Sequence, residues 1–127
     1  MPLTTAGRNF IAAAIINSGS PVFYDNAHAY LGVGDSSTAF DPSQTDLQAS
    51  TNKVRKAMET SYPTIATNVL TFKSSFGASD ANFAWNEWAV FNASTSGIML
   101  NRDVESMGTK SGGTWVLEAQ VTVAIGS

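Results

Sequence analysis

The sequence predicts an α+β fold, mainly β, in which an N-terminal helix packs on an antiparallel β-sandwich. Apolar residues recur at helical spacing in residues 4–17, whereas apolar and polar residues alternate in several segments of the region 28–126. One helix followed by five to seven strands is typical of this class. The chain has 127 residues, with neither an internal repeat nor a linker, so we expect residues 1–127 to form a single domain.

The predicted helix covers residues 4–17. Thr4 or Thr5 can cap its N-terminus, and Gly19 supplies a stop signal. The apolar positions at helical spacing are Phe10, Ala13, Ala14 and Ile16. Arg8 is the single charge of this segment, so we expect most of the helix circumference to be covered.

The rest of the chain reads as strands joined by turns. Strands are expected at residues 28–34, 52–59 (where a helix is the alternative), 68–76, 81–92, 97–105 and 114–126. In the segment 68–76 the predicted buried face consists of Leu70, Phe72, Ser74 and Phe76. In the last strand it consists of Trp115, Leu117, Ala119, Val121, Val123 and Ile125. Residues 92–97 are expected to turn a hairpin.

Composition excludes several classes of function. Charged residues make up only 13% of the chain, against a usual share of about 25%, and such surfaces suit proteins that stay in contact with neighbours. The net charge is −3 and only Lys53, Arg55 and Lys56 cluster, which argues against nucleic-acid binding. Cysteine is absent, and the apolar run 10–16 is far shorter than the roughly 20 residues that span a bilayer. We therefore expect a soluble, unprocessed protein without a membrane partner, metal or cofactor.

The stretch "GVGDSS", residues 32–37, superficially resembles a phosphate-binding glycine loop. It lacks the P-loop lysine and a following helix, so we interpret it as a strand end that turns on Gly32 and Gly34, with Asp35 capping the turn. The polar loop 35–51 is long for a compact domain, and such loops often bind. The candidate partner-contact residues in it are Ser36, Thr38, Phe40, Asp41 and Gln44.

Glu87 lies within the aromatic segment "NFAWNEWAVFN", residues 82–92. Its strand parity is shared with Phe83, Trp85, Ala89 and Phe91, so either Glu87 points inward or a β-bulge near Asn86 switches the faces. An inward carboxylate needs backbone amides or a cation, and the candidate cations are Arg55 and Arg8. We interpret Glu87 as a structural clasp.

Catalytic alternatives to the clasp are weaker. Asp80 and Glu87 could form a glycosidase-type carboxylate pair, but any β protein offers such a pair. His28 is the only histidine and no G-x-S-x-G motif accompanies it, so we expect it to be partly buried and hydrogen-bonded. No catalytic residue is therefore assigned.

Four segments carry a resemblance to a known family: "LTTAGRNFIAAAI" (3–15), "AYLGVGDSSTAFDPSQTDLQ" (29–48), "NKVRKAM" (52–58) and "NFAWNEWAVFN" (82–92). In this order they are similar to the N-terminal domains of tail-collar and tail-fibre proteins of tailed bacteriophages. The resemblance covers residues 3–125. It implies a non-catalytic virion assembly domain that joins a fibre to the baseplate or tail. It implies structural roles only for Leu3, Gly7, Gly34, Asp35, Arg55 and Glu87.

The function expected from this resemblance is that of a structural tail or baseplate protein, of fibre type or an adaptor. The sequence ends at Ser127 without a fibre shaft, so the expectation is a stand-alone adaptor on the tail or baseplate, and the alternative is a capsid decoration protein. The expected partners are other phage virion proteins and further copies of the chain, and the expected location is the virion, assembled in the host cytoplasm. A rival interpretation is a carbohydrate-binding β-sandwich with Trp85, Trp88 or Trp115 as a stacking platform.

Overall fold

The computed structural model describes residues 2–124, which form one α-helix and seven β-strands. The helix is α1 (Thr5–Ile15), and the strands are β1 (Tyr30–Gly34), β2 (Lys53–Ala57), β3 (Thr64–Ala66), β4 (Val69–Phe76), β5 (Glu87–Phe91), β6 (Met99–Val104) and β7 (Trp115–Thr122). They build two antiparallel sheets, with the strand orders β2-β1-β5-β6 and β3-β4-β7. The predicted fold class, mainly β with an N-terminal helix, is confirmed.

The helix begins at its predicted cap, where Thr4 Oγ1 accepts the Gly7 N–H at 2.8 Å. Gly7 is buried against β6, and a Cβ at this position would overlap the Leu100 carbonyl, so only glycine allows this close approach. The expectation that most of α1 is covered is wrong, because Ile15 and Ile16 are 78% and 76% exposed. The helix packs at the edge strand β6, and this contact covers only one side of it.

The main hydrophobic core lies between the two sheets. Phe72, Ser74 and Phe76 of β4 are buried while the intervening residues are partly exposed, as the alternation predicts. The largest apolar side chains of this core include Leu31, Val33, Phe72, Phe76, Trp85, Trp88, Val90, Leu100 and Val121. At the end of β7, Val123 is 47% exposed, and the expected inward position of Ile125 falls outside the described residues.

The first sheet is covered on both faces, which explains why every residue of β5 is buried. Trp88 and Val90 face the main core, whereas Ala89 and Phe91 face the opposite side. On that side the long loop (residues 35–52) folds back over the sheet and packs Leu47 onto it. We call this side the loop face, and Glu87 belongs to it.

The strands depart from the sequence prediction in three places. The segment 81–92 is a strand only from Glu87 onward, because Trp85 lies in an irregular stretch whose backbone bonds to residues 107 and 108. The β-bulge considered near Asn86 lies instead between Val90 and Phe91 in the β5–β6 pair. The short strand β3 was not predicted, since three residues carry too little alternation to register as a strand.

Candidate functional site

Glu87 is the centre of the candidate site, and its side chain has no exposed surface. Its Oε1 accepts the backbone N–H of Gln48 at 2.8 Å and Arg102 Nε–H at 2.8 Å. Its Oε2 accepts the backbone N–H of Ala49 at 2.9 Å. A buried carboxylate is tolerated when charge and hydrogen bonds compensate it in this way. Glu87 therefore ties β5 to the far end of the long loop.

Arg102 of β6 supplies the compensating charge and reaches further into the long loop. Its side chain is also fully buried. Nη1 donates to the Thr38 carbonyl at 2.9 Å and to Gln44 Oε1 at 3.2 Å. Nη2 is buried and has no hydrogen-bond partner among the residues that the structure describes. One guanidinium thus connects Glu87 to the first half of the loop, while the carboxylate holds the second half.

The prediction that Arg55 or Arg8 pairs with Glu87 is wrong. Arg8 is exposed on α1. Arg55 lies opposite Gly32 in the β1–β2 register, and its guanidinium stacks 3.5 Å from the centroid of the Phe91 ring. Its Nη1 donates to two carbonyls of the β5–β6 turn at 2.9 Å each. Arg55 therefore fastens the hairpin turn, one pleat away from the buried carboxylate.

Two glycines of β1 make room for this site. A Cβ at Gly34 would overlap Glu87 Oε2, and a Cβ at Gly32 would lie 2.9 Å from Phe91 Cε2 and 3.0 Å from Leu47 Cδ1. Both glycines belong to the strand itself, so the interpretation of Gly32 and Gly34 as turn residues is wrong. Their missing side chains let the carboxylate and the loop lie directly on the backbone of β1.

Further hydrogen bonds hold the two ends and the middle of the long loop. Asp35 donates its N–H to the Asn52 carbonyl at 3.1 Å and accepts Asn52 Nδ2–H at 2.8 Å. The Asp35 carbonyl accepts Asn86 Nδ2–H at 3.0 Å. The Pro42 carbonyl accepts the N–H of Thr5 at the start of α1, at 2.8 Å. The loop is therefore fixed to both sheet and helix along its length.

A second charged cluster holds the same loop near the surface. Asp46 accepts Lys53 Nζ–H at 3.0 Å and Arg55 Nη2–H at 3.3 Å, and its side chain is 43% exposed. Partial burial raises the pKa of Asp46, but the hydrogen bonds from Lys53 and from the Leu47 amide and the two nearby cations outweigh it. The net effect is a pKa below its ordinary value.

The proposed partner-contact residues have different environments. Thr38 and Asp41 are exposed, whereas Ser36 and Phe40 are half-buried. Gln44 is half-buried as well, and it is engaged within the loop by Arg102 and by a bond from its Nε2 to the Ala39 carbonyl at 3.1 Å. Hydrogen bonds from the Ser43 hydroxyl and then from the Ser43 amide lower the pKa of Asp41. The outward surface of the loop therefore includes Thr38 and Asp41, and Gln44 supports it from within.

The tryptophans do not form an exposed platform. Trp85 and Trp88 are only 2% and 5% exposed and belong to the main core. Trp85 also donates its Nε1–H to the Ala81 carbonyl at 2.9 Å. Trp115 is half-buried and packs edge-on against Trp85, with ring centroids 5.0 Å apart. Stacking of a sugar ring on Trp85 or Trp88 would require the core to open.

The site offers little to a substrate in this conformation. Both Glu87 oxygens are engaged and no part of the side chain reaches the surface. Asp80 is bonded elsewhere, to Lys56 Nζ at 3.1 Å and to the Gly77 amide at 3.0 Å. His28 is exposed, contrary to expectation, and bonds to Asp25 at 2.6 Å. Between residues 2 and 124, no group of three or more His, Asp or Glu side chains is placed to hold a metal ion.

Arg102 is the functional residue that the sequence interpretation missed. It lies in the segment 97–105, which was expected to pair with the strand of Glu87, so the hairpin itself was a signal. An uninterrupted register from the Phe91–Met99 pair would place Arg102 opposite Trp88, on the core face. The bulge places it opposite Ala89, on the loop face beside Glu87.

Neither models of known protein families nor curated protein sequences match this chain. In the described part of the chain, no helix has the length and apolar character needed to cross a membrane.

Proposed function

We propose that the chain is a non-enzymatic structural protein of a tailed-bacteriophage virion, a fibre-type or adaptor protein of the tail or baseplate that acts by protein–protein assembly. The single observation that carries the proposal is the long loop held in one conformation by the buried Glu87–Arg102 pair. The resemblance of four sequence segments to tail-collar and tail-fibre domains supplies the biological context.

A pre-formed loop suits an assembly protein. Ordering a flexible loop at the moment of binding costs conformational entropy. A loop already fixed by the fold therefore loses less conformational entropy when it binds a neighbour. A buried polar pair contributes little net stability compared with apolar packing, but it selects one arrangement of the groups around it. Here the selected arrangement is that of the loop backbone at Thr38, Gln48 and Ala49.

Exposed apolar side chains at the end of α1 also favour protein contacts. Ile15 and Ile16 are followed by Val22 and Phe23, which are 45% and 52% exposed. Exposed apolar residues in close succession are typical of interaction surfaces. Trp85 and Trp88 are buried, so the carbohydrate-binding alternative is left with the half-buried Trp115 as its stacking residue.

Immunolabelling tests whether the protein belongs to the virion and where it lies. Purified phage particles are labelled with an antibody against the chain, and the label is expected at the tail or baseplate. Label over the head would replace the tail proposal with capsid decoration. Particles without label would contradict the proposal that the protein is a structural component of the virion.

The loop is tested with a double substitution, Ala39→Arg and Thr45→Arg, at two exposed positions. When a phage that lacks the protein is complemented with this variant, the particles should incorporate at least about tenfold less of it than of the unmodified protein. Charged, bulky side chains at an interface disturb the complementarity of the two surfaces. The matched control is Ala78→Arg and Ser111→Arg, which adds the same charge at exposed positions in other loops. Equal incorporation of both variants would mean that the loop is not the contact. Deletion of residues 38–46 is unsuitable, because it removes both acceptors of Arg102 Nη1.

A further inference from the structure

The two sheets have four edges, and three of them are protected against pairing with another chain. Residues 2–4 run along β6, where Thr4 N–H donates to the Leu100 carbonyl at 3.0 Å and Arg102 N–H to the Pro2 carbonyl at 3.3 Å. The edge strand β2, "KVRKA", carries three cations in five residues. The edge strand β3 has only three residues. Covering, positive charge and shortness are the usual means by which proteins block edge-to-edge association.

The fourth edge, that of β7, has none of these protections. β7 is eight residues long and contains no proline, lysine or arginine. Its register with β4 runs without a bulge from the Phe76–Trp115 pair to the Val69–Thr122 pair. Within the described residues, no strand pairs with its outer side. A long, regular edge strand with a single charge, Glu118, is a template for a further strand.

The hydrogen-bond pattern identifies the groups that this edge offers. Val123 N–H donates to the Asn68 carbonyl at 2.9 Å, so Val123 directs its backbone groups toward β4. Backbone groups alternate in direction along an antiparallel strand, so the odd-numbered residues of β7 bond to β4. The amides and carbonyls that point away from β4 belong to Val116, Glu118, Gln120 and Thr122.

We propose that β7 pairs antiparallel with β7 of a second copy of this chain, around a twofold axis at Ala119, so that two three-stranded sheets become one of six strands. Directly opposite residues in an antiparallel pair lie on the same face of the sheet. The two residues that meet at the twofold axis must therefore be the same residue in the two copies. An axis at Glu118 would set two carboxylates opposite each other, which is unfavourable. An axis at Ala119 places Glu118 opposite the neutral Gln120 and overlaps all of β7.

The same register sets apolar side chains opposite one another on the core face of the strand. It sets the 52% exposed Val116 opposite Thr122 on the outer face, and the 47% exposed Val123 opposite the half-buried Trp115 on the core face. The core face is then continuous across the twofold axis. This self-complementarity is the reason to assign the edge to a second copy rather than to a different protein. The inference rests on strand geometry and is independent of the virion proposal.

Single cysteines test both the pairing and its register, because the chain contains none of its own. Opposite residues at a non-hydrogen-bonded position have Cα atoms about 4.5 Å apart, which is within disulfide reach. Ala119→Cys should therefore form a covalent dimer under mild oxidation, whereas Glu118→Cys and Gln120→Cys, displaced by two residues from their own copies, should form little. Faster cross-linking at residue 118 or 120 than at 119 would overturn the register.

Sedimentation velocity of the unmodified protein tests the association without relying on Ala119→Cys folding normally. A mass of twice 13.4 kDa is expected at high concentration, and a monomer at every concentration would overturn the proposal. Gln120→Glu creates two opposed carboxylate pairs with Glu118 and should raise the dissociation constant about tenfold. Adding Glu118→Lys to that variant should restore the dimer. If Gln120→Glu has no effect, the edge is not the interface. Because these measurements use the isolated chain, their outcome is separate from that of the virion labelling.

Discussion

Two charged clusters hold the same long loop, one in the interior and one at the surface. In the buried cluster, Glu87 and Arg102 are both 0% exposed and reach the loop through its backbone. In the surface cluster, Asp46 is a member of the loop, is 43% exposed and pairs with Lys53 and Arg55 of β2. The residue types are similar, but water screens only the second cluster. Burial therefore decides how much each cluster matters.

The comparison shows that a buried ion pair and a surface ion pair have different consequences when broken. Removal of Glu87 leaves Arg102 and two loop amides without their acceptor in a place that water does not reach. Removal of Asp46 leaves Lys53, which is 35% exposed and can bond to solvent, and Arg55, which is 12% exposed but keeps its bonds to two carbonyls of the β5–β6 turn. The first cluster therefore controls the conformation of the loop, and the second adds a small increment of stability.

The largest effect is expected from Glu87→Ala. Breaking one side of a buried pair typically costs about 3–5 kcal/mol in free energy of unfolding, because the remaining charge is uncompensated. The matched control is Glu105→Ala, at an exposed position outside the strands, where a change within about 0.5 kcal/mol is expected. Urea denaturation of both variants is the measurement. Similar, small losses in the two variants would show that Glu87 does not clasp the loop.

A smaller effect is expected from Gly34→Ala, which tests whether the missing side chain of this glycine makes room for the buried Glu87. The added Cβ would overlap Glu87 Oε2, and overpacking of this kind typically costs about 1–3 kcal/mol. In a Glu87→Ala background the overlap is gone, so the same substitution should cost clearly less. A double-mutant cycle by chemical denaturation measures the difference. Simple additivity would mean that Gly34 is required for a reason other than room for the carboxylate.

The smallest effect is expected from Asp46→Asn in the surface cluster, a loss of at most about 1 kcal/mol near neutral pH. The folded-state pKa of Asp46 lies below its ordinary value of 3.8, so its contribution is present above pH 3.8 and lost as the pH falls through the lower folded-state value. Stability curves of the two proteins should therefore converge in acid below pH 3.8. A difference that persists or grows in acid would show that Asp46 acts through something other than its charge.

Much of the fold was predictable from local patterns. The α1 cap at Thr4 and the alternation of Phe72, Ser74 and Phe76 in β4 follow from spacings of a few residues, and both agree with the structure. The exposure of Ile15 was not predictable, because a helical pattern shows which residues are apolar but not how many neighbours the helix has. β3 also escaped prediction, since an edge strand of three residues has no periodicity to detect.

Within the candidate site, the need of the Glu87 carboxylate for a compensating partner was predictable, since its aromatic and apolar neighbours in the strand leave a carboxylate few exposed positions. The identity of the cation depends on contacts between distant parts of the chain. One extra residue in β6 at the bulge turns Arg102 from the core face to the loop face, and the fold of a long loop brings the Gln48 and Ala49 amides to the same carboxylate. Helix and strand periods are properties of neighbouring residues, whereas register and loop packing depend on contacts between residues that are distant in the chain.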